Sequence, residues 1–231
     1  LPDAALLADG EAAAARIASA VRSGEMIFVH GDYDVDGICA TALLTRWLRD
    51  RGGRVTPFVP HRLRDGYDFT DAGLNAAVAC GAGLIITVDC GSVAHETVKE
   101  AVSRGMDVIV TDHHTIAGEL PAALAVVNPL RSDCPYPDKG LCGAGLAWKL
   151  AWLTAEALGV DPETLYESLD LVALATVADL VPLKGENRVL VHFGLRRFAE
   201  SPVAGIRAFL SRTGVDGASI TSGQIGFVIA P

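Results

Sequence analysis

Short apolar runs alternate with helical patterns along the first 127 residues, and this alternation restricts the fold more than any other feature. The apolar runs have the length and composition of buried strands, and they lie at 26–30, 54–59, 84–88, 108–111 and 124–127. Apolar residues recur at helical spacing in 10–23, 38–50, 71–80 and 94–104. Strands that alternate with helices predict a parallel sheet with helices on both faces. The expected fold class is therefore α/β.

The second part of the chain carries a different pattern. From Gly143 onward the periodicity is almost wholly helical, and the expected helices are 144–158, 162–180, 186–199 and 203–213. The segment 128–142 contains three prolines, which break both the helical and the strand period and predict a loop. We therefore expect an α/β part, 1–142, followed by a mainly helical part, 143–231.

The composition excludes several classes of protein. Half of the 231 residues are hydrophobic, which suffices for a sizeable core, yet no uninterrupted apolar run reaches the roughly 18 residues of a membrane helix. The five cysteines are scattered without a Cys-x-x-Cys pair, which favours reduced thiols in the cytoplasm over disulfides or a cysteine zinc site. Because the chain begins at Leu1 rather than at a methionine, we expect it to be part of a longer protein.

The charge balance argues against a protein that binds nucleic acid with its whole surface, because the net charge at pH 7 is −9. One local excess of positive charge remains, since six arginines fall between Arg46 and Arg64. Two interpretations stay open for this run. It is either a solvated helix face and loop or a track for phosphate groups.

Three of the predicted strands end in acidic residues and histidines. These residues are His30, Asp32, Asp34, Asp36, Asp89, Asp112, His113 and His114. Because the carboxyl ends of parallel strands meet at one edge of a sheet, we expect these side chains in one crevice. Crowded carboxylates with imidazole groups predict a site for a hard divalent cation. Manganese fits this mixture best, whereas magnesium takes fewer nitrogen ligands and zinc takes fewer carboxylates.

Each part of this cluster also has a simpler interpretation. Asp89 by itself would most often be a helix N-cap, and the triplet 112–114 by itself would be a turn with one capping acid. Their occurrence together with the acids of the first strand favours the cation site. The other histidines lack such partners and are expected on the surface or in the core; they are His61, His95 and His192.

The helical part is expected to contribute two further features. Asp170 and Asp179 interrupt an otherwise apolar helix, and a carboxylate there is costly unless it is paired or bound to a metal. We favour Asp179 for the site because it lies at a helix end before a proline. Gly143 and Gly145 open the first helix of this part, so their backbone N–H groups are candidates to bind a phosphate. Such glycine spacing is as often a sign of close packing.

Four motifs resemble those of the DHH phosphoesterase superfamily, which is named for the triplet that is Asp-His-His at 112–114 in this sequence. They are His-Gly-Asp-Tyr-Asp-Val-Asp-Gly at 30–37, Val-Asp-Cys-Gly at 88–91, Thr-Asp-His-His at 111–114 and Val-Ala-Asp-Leu-Val-Pro-Leu at 177–183. Within the superfamily, the segments 128–129, 141–145 and 176–183 resemble the RecJ family of single-strand-specific exonucleases. The resemblance implies a Rossmann-like DHH domain, 1–142, that 143–231 completes. It also implies a DHH-associated C-terminal domain that lies outside this chain.

The resemblance further implies a site for two ions, with Mn²⁺ expected and Mg²⁺ as the alternative. Its ligands would be Asp34, Asp36, Asp89, His113 and Asp179, with Asp89 bridging the ions. His30 matches a metal-binding histidine of related pyrophosphatases and is assigned to the same site. Asp32 and His114 would be catalytic residues that orient the ligands or the scissile phosphate. The expected substrate contacts are Arg62, Arg64, Asn128, Gly143 and Gly145. The sequence departs from the family pattern at Asp68, where a glycine is expected.

The implied function is that of a single-stranded-DNA-specific 5′-to-3′ exonuclease in DNA repair and recombination, which hydrolyses phosphodiester bonds by a two-metal mechanism. The expected partner is single-stranded DNA, with a single-strand-binding protein and a helicase bound through parts outside this chain. The expected location is the cytoplasm, without membrane association. Three alternatives stay open: a DHH enzyme of the nanoRNase type that cleaves short oligonucleotides or phosphoadenosine phosphate, a cyclic-dinucleotide phosphodiesterase, and a non-catalytic DHH scaffold.

Overall fold

Five parallel strands form a single sheet in the computed structural model of the protein, which describes residues 1–116 and 118–231. The strands are β1 (Met26–Gly31), β2 (Arg54–Phe58), β3 (Leu84–Val88), β4 (Asp107–Thr111) and β5 (Ala125–Val127). Their order across the sheet is β2-β1-β3-β4-β5, and every pairing is parallel. The predicted parallel sheet is confirmed, and each strand end lies within one residue of its expected position.

Helices precede, connect and follow the strands. The longer helices are α1 (Gly10–Ser23), α2 (Val35–Arg49), α3 (Asp71–Ala79), α4 (His95–Ser103), α5 (Gly143–Leu158), α6 (Leu169–Ala178), α7 (Gly185–Leu195) and α8 (Ala204–Thr213). Short 3₁₀ segments lie at Ala4–Leu6, Pro162–Ser168 and Phe198–Glu200, and a single helical turn at Ser222–Gln224 continues into a π-helical segment at Ile225–Ile229. The predicted succession of an α/β part and a helical part is therefore confirmed.

Three helices differ from their predicted limits. The predicted helix 186–199 ends as α7 at Leu195 and is followed by the 3₁₀ segment Phe198–Glu200. α2 begins three residues earlier than predicted, because the Asp34 side chain caps it by accepting a hydrogen bond from the Gly37 N–H at 2.9 Å. The predicted helix 162–180 is divided into a 3₁₀ segment and α6. α6 ends at Ala178 because Leu180 adopts a left-handed conformation with a φ of 59°, which a continuing α-helix does not contain.

Helices cover both faces of the sheet. Side chains alternate along each strand, so Ile27, Val29 and Ile86 point to one face, while Phe28 and Ile85 point to the other. The first face is covered by α1, α2 and α5, and the second by α3 and α4. α6 packs against α2, and α7 packs against α6. The larger core therefore joins the two parts of the chain, and their division after residue 142 stays a prediction.

The sheet topology places the candidate site. β1 has β2 on one side and β3 on the other, so the order in which strands are added reverses at β1. A crevice for ligands opens at such a point, beyond the carboxyl ends of the strands. In the register of the sheet Gly31 pairs with Val88 and Val88 with Thr111, so these three strands end at the same level. The acidic segments that follow them meet in this crevice.

The arginine-rich run is divided between the two ends of the sheet. α2 starts at the crevice and extends about 20 Å away from it, so the arginines at its C-terminal end are remote from the acids. Arg49 and Arg54 donate hydrogen bonds to backbone carbonyl oxygens there. The structure therefore supports a structural and solvated role for the part 46–54. Arg62 and Arg64 follow β2 and lie towards the crevice.

Within the described ranges, no helix has both the length and the apolar character needed to cross a membrane. The five cysteines are free thiols, and four of them are buried. Disulfide bonds therefore make no contribution here, and the fold depends on its apolar core and on backbone hydrogen bonds.

Candidate metal centre

Asp34 and Asp36 follow β1 and lie at the start of α2. Asp34 is exposed and caps the helix. Asp36 is buried, and its two carboxylate oxygens accept hydrogen bonds from the N–H groups of Gly143 and Ala144 at 2.6 and 2.7 Å. These donors are the first residues of α5, so the positive end of a helix dipole faces the Asp36 charge. The helical part of the chain thereby fixes one acid of the crevice.

Asp89 follows β3 and lies at the centre of the cluster. Its backbone is left-handed, with a φ of 63°, a conformation that Asp and Asn adopt more readily than other side chains. Both of its carboxylate oxygens are buried without a hydrogen-bond partner in the described structure. Gly143 leaves room for it, because a Cβ at position 143 would lie 2.5 Å from the Asp89 Cβ. A buried carboxylate with two free oxygens indicates a binding partner that the chain itself does not supply.

His113 and Asp179 complete the cluster. The His113 Nε2 atom lies 3.0 Å from Asp89 Oδ1 and 3.7 Å from a carboxylate oxygen of both Asp36 and Asp179. None of these approaches has the geometry of a hydrogen bond, since His113 Nε2 and both Asp89 oxygens lack partners in the described residues. Carboxylate oxygens and an imidazole nitrogen that converge in this way could hold a divalent cation. Asp170, by contrast, is buried within the helical part and bonded there.

Among the described residues, three groups of side chains have ligand atoms close enough together to hold a metal ion. Within each group the atoms lie within 4.8 Å of one another, and the groups are Asp36-His113-Asp179, Asp89-His113-His114 and Asp32-Asp34-Asp89. Asp89 and His113 each belong to two of these groups. Carboxylate oxygens with imidazole nitrogens suit Mn²⁺, while Mg²⁺ would use mainly the oxygens. The residues therefore fit divalent cations, and Asp32 and His114 join the candidate ligands.

The electrostatics of the crevice also favour a cation. Burial, followed by the charges of Asp36 and Asp34, raises the pKa of the Asp89 carboxyl far above its ordinary value. Burial raises the pKa of Asp32 and of Asp179 to about 6, and the charge of Asp34 adds to both shifts. A divalent cation favours the charged form of each nearby carboxylate and would reverse these shifts.

Asp112 holds the two histidines of the triplet in place, a role that the sequence did not reveal. One of its oxygens accepts hydrogen bonds from the N–H groups of His113 and His114, at 2.8 and 3.1 Å, and lies 2.7 Å from His114 Nδ1. Its other oxygen accepts the Ser92 N–H at 3.0 Å. The bond to Asp112 raises the pKa of His114 and directs its Nε2 atom to the opposite side, where the Tyr67 hydroxyl lies 3.5 Å away. The only sequence signal was the position of Asp112 in the triplet.

Asn128, a predicted substrate contact, has a side chain that is bonded to other groups of the chain. The side chain is fully buried. Its amide nitrogen donates to Ser92 Oγ and to the His114 carbonyl oxygen, while its amide oxygen accepts the Leu130 N–H. Asn128 therefore supports the segment that carries His114 and has no polar atom left for a substrate.

Gly143 and Gly145, the predicted phosphate contacts, have partners within the chain in this structure. The Gly143 N–H donates to Asp36, so the anion at the start of α5 is a side chain of the protein. Gly145 is buried and packs against Leu141 and Cys142. The alternative interpretation of these glycines, close packing, is the one that the structure supports.

His30 was predicted to bind metal, but the structure places it below the crevice. Its ring is fully buried, with its centroid 5.3 Å from that of Phe58 and 5.1 Å from that of Phe69. His30 is still inside β1 and points to the same face as Phe28, because side chains two residues apart along a strand share a face. Burial lowers its pKa to about 4, so the ring is neutral. None of the three ligand groups of the described chain contains it, and it instead lies under the turn of Asp89, with Nδ1 3.6 Å from Cys90 Sγ.

The connection between β2 and α3 lies along one side of the crevice and carries two predicted substrate contacts. Arg62 lies over the Tyr33 ring, 5.3 Å from its centroid. Tyr33 contacts Tyr67 edge-on, with the centroids 6.1 Å apart, and the Tyr67 hydroxyl is 3.5 Å from His114 Nε2. Arg64 is 75% exposed and pairs with the neighbouring aspartate of the same loop. Arg62 is thus joined to the crevice through aromatic contacts, whereas Arg64 is joined to its own loop.

Comparisons with known proteins agree with this geometry. The model of the DHH family, N-terminal domain, matches residues 26–176. The single-stranded-DNA-specific exonuclease RecJ of Dickeya dadantii is 41% identical over an alignment of 223 residues, which covers 92% of this chain and 39% of that protein. The RecJ of Bacillus subtilis is 38% identical, over 95% of this chain and 27% of its own length.

Solved structures extend the likeness to three dimensions. A crystal structure of exonuclease RecJ bound to manganese matches with a TM-score of 0.89 at 40% identity, over 100% of this chain and 57% of that chain. RecJ from Thermus thermophilus in complex with Mg²⁺ matches with a TM-score of 0.71 at 36% identity, over 97% of this chain and 28% of that chain. The present chain spans less than two fifths of the length of either curated relative. Because the family model covers well over half of its residues and the strand-end acids carry its motifs, the chain belongs to the DHH family.

Proposed function

We propose that this chain is the catalytic part of a single-stranded-DNA-specific 5′-to-3′ exonuclease that hydrolyses phosphodiester bonds with two divalent metal ions. The observation that carries the proposal is the convergence of acids and His113 around Asp89, whose oxygens lack a partner in the described chain. The likeness to RecJ exonucleases supports the same substrate class. The residues that would hold the ions are Asp34, Asp36, Asp89, His113 and Asp179, with Asp32 and His114 as further candidates.

Bound divalent ions would activate a water molecule and offset negative charge around the phosphorus atom. The residues of the chain prepare the site for this chemistry. α5 fixes the Asp36 carboxylate, and Asp112 fixes the orientation of His114. Arg62 offers a cation to a phosphate of the bound strand. Groups that are already in position reduce the reorganisation that the reaction requires.

The wider role is proposed from the relatives. We propose single-stranded DNA as the substrate, DNA repair and recombination as the process, and the cytoplasm as the location. Contacts with a single-strand-binding protein and a helicase would use regions of the relatives that this chain does not cover. Because the chain spans less than two fifths of either relative, we expect it to be less processive than a full-length relative, as judged from the lengths of its products.

A nuclease assay on long single strands tests the proposal. Strands labelled at the 5′ or at the 3′ end are incubated with the chain and Mn²⁺ or Mg²⁺. We expect label to be released first from the 5′ end, and Asp89→Asn to lower the rate by at least about a hundredfold. Asparagine is preferred to alanine because it tolerates the left-handed backbone at this position. An Asp89→Asn protein with undiminished metal-dependent cleavage would contradict the assignment of the site.

A second candidate is a phosphodiesterase for short oligonucleotides or cyclic dinucleotides. The observation in its favour is the small amount of positive charge near the crevice. The net charge is −9, and of the arginines in 46–64 only Arg62 and Arg64 follow β2 and so lie towards the crevice. A short substrate requires fewer phosphate contacts than a long strand. Faster cleavage of dinucleotides than of long strands would favour this candidate. The intact ligand groups argue against a non-catalytic scaffold. A chain that did not bind Mn²⁺ would favour the scaffold instead.

A further inference from the structure

Asp68 lies in the connection between β2 and α3 and has a backbone conformation that is typical of glycine. Its φ of 71° is in the left-handed region, which glycine adopts without strain. The aspartate keeps this backbone conformation and adds a half-buried carboxylate beside the crevice. A side chain held on a strained backbone needs contacts that offset the cost.

The Asp68 carboxylate accepts a hydrogen bond from the Gly91 N–H at 2.6 Å. Gly91 belongs to the turn after β3 that also carries Asp89. Its φ is 107°, and a Cβ there would lie 2.5 Å from Thr87 Oγ1. The Thr87 hydroxyl donates to the Cys90 carbonyl oxygen at 2.8 Å. The sheet thus holds this turn from one side, and Asp68 holds it from the other.

Asp68 directly follows the loop 61–67, which carries Arg62 and Tyr67. In the described part of the chain, two hydrogen-bonding contacts join this loop and Asp68 to the turns after β3 and β4. One is the 2.6 Å bond of Asp68, and the other is the much longer 3.5 Å contact of Tyr67 with His114. The other hydrogen bonds of the loop lie within the connection itself. Asp68 is therefore the main polar attachment of the loop to the crevice.

We propose that Asp68 is a positioning residue that fastens the loop of Arg62 and Tyr67 to the turn of Asp89, so that both sides of the crevice keep a fixed spacing. The kinetic consequence rests on the proposed nuclease function, whereas the attachment itself does not. Without it, a bound strand has to order the loop, and this cost weakens substrate binding more than the chemical step. The effect on KM should therefore exceed the effect on kcat.

Two variants test this role. Asp68→Asn keeps an amide oxygen for the Gly91 N–H and tolerates the left-handed backbone, whereas Asp68→Gly removes the acceptor and relieves the strain. For Asp68→Gly we expect KM for a single-stranded oligonucleotide to rise by about three- to tenfold with kcat changed by less than about twofold. Amide hydrogen exchange at Gly91 and in 61–67 should become faster, and the thermal midpoint should stay equal or rise. Asp68→Asn should match the unmodified chain in all four measurements.

The outcomes separate the alternatives. Unchanged KM and unchanged exchange in Asp68→Gly would overturn the proposal, as would equal losses in both variants, which would point to the charge instead of the hydrogen bond. If Asp68→Gly had a lower thermal midpoint, and kcat fell by the same factor by which KM rose, the role of Asp68 would be merely structural. That result would also overturn the proposal. If the unmodified chain shows no nuclease activity, the exchange measurement decides alone. Protection in the unmodified chain and in Asp68→Asn, but not in Asp68→Gly, would then support the attachment while the proposed function fails.

Discussion

Strained backbone is concentrated around the crevice at the scale of single residues. In the ranges 1–116 and 118–231, the non-glycine residues with left-handed conformations are Asp9, Asp68, Asp89 and Leu180. Asp68 and Asp89 border the crevice, and Leu180 directly follows the ligand candidate Asp179. Aspartate adopts this conformation at modest cost, whereas for leucine the cost is higher. Strain of this kind persists where the surrounding structure enforces it, and here it accompanies the residues that present carboxylates.

Leu180→Gly is expected to raise the free energy of unfolding by about 0.5–1 kcal/mol, because glycine is unstrained at a φ of 59°. Leu180 is 86% exposed, so little packing is lost with its side chain. Leu183→Gly is the matched control, since Leu183 lies in the same connection without a left-handed backbone, and glycine there lowers stability through chain entropy. Urea denaturation of the metal-free proteins measures both changes. A loss of stability in Leu180→Gly would show that the strain argument is wrong.

The residues that sequence reasoning placed correctly near the crevice are those whose position follows from chain order alone. Asp89 and His113 follow strand ends, and Asp179 ends an apolar helix, so all three could be assigned to one edge. His30 and Asn128 could not be placed, because their roles depend on side-chain direction and on which polar groups are already bonded. Those facts depend on tertiary contacts that a single sequence does not contain.

At the scale of elements, the start of α5 acts as part of the site. Its first N–H groups bind Asp36, and Gly143 leaves the space that Asp89 occupies. The helical part of the chain thus sets the distance between two ligand candidates that come from different strands. The glycines of this helix start predict an anion in the sequence, and in the structure that anion is the Asp36 carboxylate of the protein itself.

Gly143→Ala is expected to lower Mn²⁺ affinity by at least about tenfold, the usual effect of displacing a group that supports a ligand. The new Cβ would lie 2.5 Å from the Asp89 Cβ and would move that side chain. Gly205→Ala is the matched control, because a Cβ at that position in α8 meets nothing within 4 Å. Calorimetric titration with Mn²⁺ measures both affinities. Circular dichroism of the metal-free proteins checks their folding. An unchanged affinity in folded Gly143→Ala would contradict this view of α5.

The strands were more predictable than the helix ends. A buried parallel strand is a short continuous apolar run, and such runs are distinct in this sequence. Helix ends depend on caps and on single left-handed residues. The Asp34 cap was visible in the sequence but was interpreted as a metal ligand alone, and the left-handed Leu180 has no sequence signal, because leucine is unusual in that conformation.

At the scale of the whole molecule, the crowded acids couple stability to pH. The pKa of Asp179 is raised from 3.8 to about 6 by burial and by the charge of Asp34. A carboxyl group with a raised pKa binds more protons in the folded than in the unfolded state, so its contribution to stability falls as the pH rises from about 4 to about 6. Above that range, the folded metal-free protein carries the full cost of the charge.

Asp179→Asn should therefore be more stable than the unmodified chain at pH 7 without metal, by about 1–2 kcal/mol. The difference should shrink towards pH 4, because the folded-state acid is then protonated and the unfolded-state acid is about half protonated. With saturating Mn²⁺ at pH 7 the order should reverse, because the unmodified chain gains more from metal binding. Urea denaturation at both pH values, with EDTA or with Mn²⁺, measures the differences. A variant that is less stable than the unmodified chain in EDTA at pH 7 would contradict the proposed repulsion.

The overall architecture followed from the sequence because the alternation of strands and helices leaves few topologies for a parallel sheet. The order of the strands, and hence the reversal at β1, required the structure. Part of the net charge of −9 comes from the acids of the crevice, whose negative charge a bound cation would offset.

The central claim is that the strand-end acids bind two divalent ions that share Asp89. The most direct test is calorimetric titration of Mn²⁺ into the metal-free chain and into Asp89→Asn at pH 7.5. We expect two bound ions per unmodified chain, and in Asp89→Asn either one ion fewer or an affinity that is lower by at least about tenfold. No binding to the unmodified chain, or equal binding by Asp89→Asn, would contradict it.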